Sequence, residues 1–168
     1  MKPLMGISAC LLGKTVRYDG GHKLDEFIIE SLGRHFKFVA ICPETGCGMT
    51  VPREHLRLEG YPASPRLITT AVRIDKTGQI EHWMQTCFEE LEKENLAGFV
   101  FKSKSPSCGL AVDVYDSNGR ITGKTMGLFA RGFTRRFPSL PVAEADALHD
   151  AAFRKSFLSR INVNNAVL

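Results

Sequence analysis

Three cysteines follow short apolar segments that are far apart in the sequence, and their chemistry defines the first question about this chain. Cys10 follows residues 6–9, Cys42 follows residues 37–41, and Cys108 ends a polar loop. Thiolates bind zinc and iron–sulfur clusters, and they also act as nucleophiles. No C-x-x-C or H-x-x-x-H pair is present, which disfavours a closed zinc site. Three thiolates from separate loops instead suit an iron–sulfur cluster with one iron left open.

Hydroxyl and ammonium groups are concentrated around the third cysteine, because residues 102–109 read KSKSPSCG. Serine and proline are common in turns, so a polar turn is one interpretation. Three hydroxyls, two ammonium groups and a thiol are nevertheless more than a turn needs. The hydroxyls can donate to an anion or to cluster sulfur, and the ammonium groups favour a neighbouring thiolate. Glu44, in the segment Cys42-Pro43-Glu44, is a candidate proton carrier.

The two remaining cysteines have other interpretations. Cys87 lies on the apolar face of a predicted helix and is expected in the core. Cys47 is either a spare thiol or a competitor of Cys42 as a ligand, and we favour Cys42. Five cysteines at wide spacing form a poor disulfide framework. We therefore expect a reducing cytoplasmic location, where cysteines are free, catalytic or metal-bound.

The elements that must position these residues alternate between short apolar runs and helical periodicity. The predicted strands are Gly6–Cys10, Phe38–Cys42, Gly98–Lys102 and Leu140–Glu144. The predicted helices are Leu24–Phe36, Gln79–Asn95, Gly127–Phe137 and Leu148–Ile161. Residues 110–122, with a turn at 116–119, are expected to form a small hairpin. The pattern predicts an α/β fold: a single domain over residues 1–168 with a mainly parallel twisted sheet flanked by helices.

Parallel strands would bring the three cysteines together. Right-handed crossovers make the predicted strands neighbours in one sheet, so their carboxyl ends share one edge. Cys10 and Cys42 fall at that edge, and Cys108 lies in the loop after the third strand. Ligands of open α/β sheets bind at this edge. The topology therefore predicts a three-thiolate site there.

Composition narrows the possible partners. The chain has 168 residues, of which 43% are hydrophobic and 24% charged, and its mean hydropathy of −0.09 is typical of a soluble globular domain. We expect no membrane span. The net charge of +4 comes from scattered Lys and Arg residues, so nucleic-acid binding is not favoured. Nothing in the sequence indicates an obligate protein partner.

Taken together, these motifs resemble the thiouracil desulfidase family, formerly a bacterial domain of unknown function. The resemblance spans nearly the whole chain and is specific as a combination. It is carried by residues 7–13 (ISACLLG), 16–21 (VRYDGG), 42–44 (CPE), 52–53 (PR) and 102–109.

The resemblance implies a cofactor, a substrate class and a set of site residues. Cys10, Cys42 and Cys108 would hold a 4Fe-4S cluster, and Glu44 and Ser105 would be catalytic. The substrate would be a small thiolated pyrimidine such as thiouracil, desulfurated without redox chemistry and with release of hydrogen sulfide. We further expect three substrate-binding residues, which are Asp19, Lys102 and Ser103.

Two other functions remain open from the residues alone. The first is a cluster-free transferase in which Cys108 is the nucleophile, activated by Lys102 or Lys104. The second is an iron–sulfur sensor or nucleic-acid-binding module, which the mildly basic composition would permit.

Overall fold

The computed structural model describes residues 1–165, with side chains described for residues 1–161. Residues 166–168 of the predicted domain lie outside the described part. The strands are β1 (Leu4–Ser8), β2 (Lys37–Ile41), β3 (Leu56–Tyr61), β4 (Ser64–Thr69), β5 (Leu96–Phe101), β6 (Val112–Tyr115), β7 (Ile121–Thr125) and β8 (Val142–Glu144). The helices are α1 (Glu26–Gly33), α2 (Pro43–Gly46), α3 (Thr77–Glu94), α4 (Leu128–Arg136) and α5 (Ala151–Asn165). None of the helices in residues 1–165 is long and apolar enough to span a bilayer.

A parallel sheet forms the framework of the fold, which confirms the predicted α/β class. Its strand order is β2-β1-β5-β8, and every adjacent pair is parallel. In the central pairs, Ser8 lies opposite Ile41 and Ile7 lies opposite Val100. The carboxyl ends of β1, β2 and β5 therefore meet at one edge of the sheet.

Helices cover both faces of this sheet. On β5, Phe99 and Phe101 belong to a hydrophobic cluster with α3 and α4, whereas Val100 belongs to a cluster with α1 and α5. This alternation is the two-residue period of a strand buried on both sides. Helix α3 carries the predicted apolar stripe, and Cys87 is buried on it, as predicted.

Aromatic side chains fill the core between β5 and the two helices. The ring centroids of Phe99 and Phe101 are 4.3 Å apart, and those of Phe99 and Phe133 are 4.9 Å apart. Phe129 also contacts this group. Such pairs add about 0.5–1.5 kcal/mol each beyond the burial of their area. The ring of Phe99 is consequently held on several sides.

The second sheet is larger than the predicted small hairpin. Strands β6 and β7 form that hairpin, but β3 and β4 form another one, and the strand order is β4-β3-β6-β7. The pairing of β3 with β6 is parallel. Strands over residues 56–69 were not predicted, although Leu56 and Leu58 alternate with polar residues. Leu56, Leu58 and Leu67 join the same core cluster as Phe99, so both sheets share that core.

Several predicted boundaries are wrong, for local reasons. Strand β1 ends at Ser8 because Ala9–Leu12 form a 3-10 turn, which places Cys10 beyond the strand. Strand β2 ends at Ile41, and Cys42 occupies the N-cap position of the short helix α2 without a side-chain capping hydrogen bond. Helix α1 begins after Asp25, whose Oδ1 accepts the N–H of Ile28 at 3.1 Å.

A buried carboxylate reinforces the second sheet. Glu59 on β3 is 8% exposed, and its side chain accepts hydrogen bonds from Arg57 Nε at 2.6 Å and from both terminal nitrogens of Arg73. The hydrogen bonds from Arg73, followed by those from Arg57, hold the pKa of Glu59 below its usual range. The folded protein therefore stabilises the ionised form of Glu59 more than the unfolded chain does.

Gly6→Ala is expected to lower the free energy of unfolding by about 1–3 kcal/mol. A Cβ at Gly6 would lie 2.3 Å from Cδ2 of Phe99, whose ring cannot move aside within its aromatic cluster. Gly78→Ala is the matched control, because a Cβ there meets nothing within 4 Å and alanine favours the helix. Denaturant unfolding of both variants measures the difference, and equal stabilities would contradict the packing of Phe99.

Glu59→Gln is expected to destabilise the protein at neutral pH by about 1–3 kcal/mol, the effect of hydrogen bonds to a charged group. A pKa lowered by folding contributes stability above the unfolded value of about 4.3, and this contribution disappears as the pH falls through the folded value. The difference in the free energy of unfolding between the wild type and Glu59→Gln should therefore shrink below about pH 4. Denaturant unfolding across this range tests it.

Glu92→Gln provides the control for that experiment. Glu92 pairs with Arg136 at 2.8 Å, but both side chains are about half exposed, so this pair contributes little. A Glu59→Gln deficit that stays constant down to acid pH, or that equals the effect of Glu92→Gln, would contradict the role given to the buried carboxylate.

Candidate active site at the carboxyl edge of the parallel sheet

A pocket lies at the sheet edge where β1, β2 and β5 end. It encloses about 680 Å³ of empty space, its open mouth included. Its walls come from the segments that follow these strands and from the segment before β3. Cys10, Cys42 and Cys108 all line it, so the structure brings the three predicted ligands to one pocket.

Cys10 is presented by the 3-10 turn that follows β1. Its carbonyl accepts the N–H groups of Gly13 and Lys23 at 3.2 and 2.9 Å, which fixes the turn. Burial raises the pKa of the Cys10 thiol, and the nearby Cys42 raises it further, whereas the charges of Arg17 and Lys102 lower it. A bound cation would offset the cost of keeping these two sulfurs as thiolates.

Cys108 is held by the loop between β5 and β6. Ser105 Oγ accepts the N–H groups of Ser107 and Cys108 at 3.3 and 3.0 Å. The carbonyl of Ser107 in turn accepts two N–H groups near the start of α4. Burial raises the pKa of the Cys108 thiol, while hydrogen bonding from Ser8 at the end of β1 lowers it. The loop is thus fixed both to α4 and to the parallel sheet.

Cys47 directly follows helix α2 and is not part of the pocket wall. Its Sγ donates to the carbonyl of Glu44 at 3.2 Å, and the side chain packs against the core cluster instead of lining the pocket. Cys42 precedes the helix and does line the pocket. Geometry therefore favours Cys42 over Cys47 as a ligand.

Glu44 projects into the pocket from α2 and is held at both oxygens. Its Oε2 accepts Nε and Nη2 of Arg53 at 2.8 and 2.5 Å, and its Oε1 accepts Ser107 Oγ at 2.8 Å. The Glu44 and Arg53 side chains are only 14% and 9% exposed. The sequence predicted no individual role for Arg53, and for Ser107 it predicted only the donor capacity shared by the three hydroxyls of residues 102–109. In the sequence, Arg53 was singled out only as part of the motif at residues 52–53. The contacts of Arg53 and Ser107 with Glu44 join separate segments of the chain, so no local sequence pattern predicts them.

The predicted substrate-binding residues have different surroundings. Lys102 and Ser103 line the pocket, and Lys102 Nζ donates to the carbonyl of Ser103 at 2.8 Å. Ser103 Oγ is buried, and among the described residues it has no hydrogen-bond partner. Buried hydroxyls are normally paired, so this one is an exception.

Asp19 does not have the position expected of a substrate-binding residue. It is absent from the pocket wall, and its Oδ1 accepts the N–H of Gly21 at 3.0 Å within its own turn. Its neighbours Arg17 and Tyr18 line the pocket instead. His55 also lines it and contacts the Tyr18 ring edge-on at 5.0 Å. No role was predicted for His55 from the sequence.

The donor set suits a cluster better than a single ion. Within the described side chains, no three His, Cys, Asp or Glu residues converge closely enough to hold one metal ion. A cubane is several ångströms across and is reached by thiolates from different sides, so its ligands are more widely spaced. Three cysteines around one pocket, with cationic Arg17 and Lys102 near Cys10, fit such a group.

Comparisons with known proteins agree with this site. A profile of the 2-thiouracil desulfurase family matches residues 5–145, a range that contains every residue of the pocket wall. The uncharacterized protein YbbK of Bacillus subtilis (strain 168) is 32% identical over 123 residues, which are 70% of this chain and 79% of YbbK.

A solved structure of the 4Fe-4S-dependent thiouracil desulfidase TudS is also similar, with a TM-score of 0.67 and 27% identity. The match covers 93% of this chain and 99% of the TudS chain, so the described architecture is shared almost throughout. The family indicated by the sequence motifs is confirmed: this chain belongs to the 2-thiouracil desulfurase family.

Proposed function

We propose that this protein desulfurates a small thiolated pyrimidine such as thiouracil, using a 4Fe-4S cluster and releasing hydrogen sulfide. The observation that carries the proposal is the convergence of Cys10, Cys42 and Cys108 on the pocket into which Glu44 projects. Family membership and the similarity to TudS support it. Replacing C=S by C=O with water is a hydrolysis without net redox change, so no electron donor is required.

Cys10, Cys42 and Cys108 would hold the cluster. When bound, a cluster with three protein ligands supplies an iron with an open position, which is a Lewis acid for a thiocarbonyl sulfur. Arg17 and Lys102 place positive charge beside the thiolates. The chain itself then has three tasks: to orient the heterocycle, to move a proton and to limit the access of bulk water.

Glu44 is the proposed proton carrier. As a carboxylate held by Arg53 and Ser107, it can accept a proton from the water that attacks the thiocarbonyl carbon and return it to the leaving sulfur. Ser105 Oγ already accepts two backbone N–H groups, so its O–H is the group it can offer to the substrate. Lys102 and Ser103 also line the pocket.

The cluster-free transferase has weaker support. A nucleophilic Cys108 would need a nearby base or cation, but the thiol is 5% exposed and its pKa is raised by burial. Lys102 Nζ donates to a carbonyl, and Lys104 is exposed at the pocket mouth. A buried thiol of this kind is a poor nucleophile and a good soft ligand once a cation is present.

Anaerobic reconstitution with iron and sulfide is expected to load about four irons per chain. Cys10→Ala, Cys42→Ala and Cys108→Ala should each lose most of this iron, because each removes one of the three thiolates. Cys47→Ala and Cys87→Ala are matched controls and should retain it, since neither residue lines the pocket. Iron and sulfide analysis provides the measurement. Full loading of any of the first three variants would remove that residue from the ligand set.

Glu44→Gln is expected to keep the cluster and to lose about 10²–10⁴-fold in turnover, the usual contribution of a proton-transfer group. Sulfide release and uracil formation from 2- and 4-thiouracil provide the assay. Glu59→Gln is the matched control, since Glu59 is a buried Arg-paired carboxylate outside the pocket. Normal turnover of Glu44→Gln would exclude the proton-carrier role.

A further inference from the structure

Arg53 connects the loops that follow two of the proposed cluster ligands. In the loop after Cys10, the carbonyl of Tyr18 accepts the backbone N–H of Arg53 at 2.9 Å, and the carbonyl of Val16 accepts Arg53 Nη2 at 2.8 Å. In the segment after Cys42, the carbonyl of Thr50 accepts Arg53 Nη1 at 3.1 Å. The Arg53 guanidinium is therefore fixed to both loops by hydrogen bonds that do not involve Glu44.

Ser107 supplies the corresponding connection to the third ligand loop. It immediately precedes Cys108, is 1% exposed, and donates its hydroxyl to Glu44 Oε1. Its carbonyl accepts the N–H groups of Phe129 and Ala130 at 2.9 and 3.1 Å, so its backbone is fixed by α4. Each oxygen of the Glu44 carboxylate therefore has its own donor. Ser107, held by α4, donates to Oε1, and Arg53, held by the two other loops, donates to Oε2.

We propose that Arg53 and Ser107 are positioning residues, which set the orientation of the Glu44 carboxylate relative to the loops of all three cysteines. This inference rests on the proposed function of Glu44. A carboxylate on a helix of only four residues has little positional support of its own. Charge-assisted hydrogen bonds at both oxygens remove its rotational freedom, and proton transfer depends steeply on such alignment.

The location of Glu44, Arg53 and Ser107 on the pocket wall distinguishes them from a buried ion pair that only stabilises the fold. Glu59 and its arginines are also buried and hydrogen-bonded, but that group lies outside the pocket wall. Glu44, Arg53 and Ser107 all line the pocket. Removing either donor should therefore affect the chemical step more than substrate binding, and it should leave the cysteine ligands in place.

Arg53→Gln and Ser107→Ala test the inference on the reconstituted protein. Each is expected to lower kcat for thiouracil by about 10- to 100-fold, as for a misaligned catalytic group, with little change in KM. Iron content and the visible spectrum of the cluster should equal those of the wild type. Arg53→Lys should recover only part of kcat, because lysine restores the charge but not the two-pronged contact.

A double-mutant cycle separates positioning from general damage. If Arg53 and Ser107 act through Glu44, their substitutions should cause little further loss of the residual kcat of Glu44→Gln. Additive losses, or loss of iron from both single variants, would overturn the positioning role. Arg66→Gln and Ser31→Ala are matched controls outside the pocket and should keep the wild-type kcat.

The outcomes also separate this inference from the proposed function. Wild-type kcat in both Arg53→Gln and Ser107→Ala, together with an inactive Glu44→Gln, would refute the positioning role and leave the proposed function intact. A reconstituted wild-type protein that releases no sulfide from either thiouracil would overturn the proposed function, and the positioning role with it. Ser107→Ala keeps the test decisive if Arg53→Gln fails to fold.

Discussion

The register of β1 between its two parallel neighbours is the constraint on which the site depends. Because Ser8 is level with Ile41 on β2, and Ile7 with Val100 on β5, the segments after the three strands emerge side by side. A cysteine just beyond each of two strands, and one in the loop after the third, then reach a common pocket. The aromatic core around Phe99 maintains this register from one face of the sheet.

Electrostatic complementarity is the second requirement. Burial raises the pKa of the Cys10 and Cys108 thiols, and the nearby Cys42 raises both further, so thiolates are unfavourable there without a compensating positive charge. Arg17, Lys102 and the Ser8 hydroxyl offset part of this cost. A cluster cation would offset the rest. Glu44, the only acidic residue that the described side chains place on the pocket wall, also raises the pKa of Cys108, and its ion pair with Arg53 supplies a compensating positive charge beside it.

The sequence was informative where local patterns carry the information. The βα alternation predicted the parallel sheet, and the strand ends predicted that Cys10, Cys42 and Cys108 share one edge. Helical periodicity placed Cys87 in the core. Asp19 shows the opposite case: it was expected to bind substrate, but its side chain bonds within its own turn and does not line the pocket.

Other features depend on contacts that no local pattern reports. The hairpin of β3 and β4 is stabilised by β6 and by a shared core, so its short alternating segments became interpretable only in three dimensions. Arg53 and Ser107 lie far apart in the sequence and meet only at the carboxylate of Glu44. Such convergence is set by the tertiary fold.

The central claim, that three cysteines hold a cluster with one position open to substrate, is tested most directly by Mössbauer spectroscopy of the protein reconstituted with enriched iron. We predict a cubane spectrum in which one iron site differs from the other three, and in which only that site changes when 2-thiouracil is added under anaerobic conditions. Four equivalent irons, a binuclear spectrum, or a spectrum that does not respond to 2-thiouracil would contradict the account.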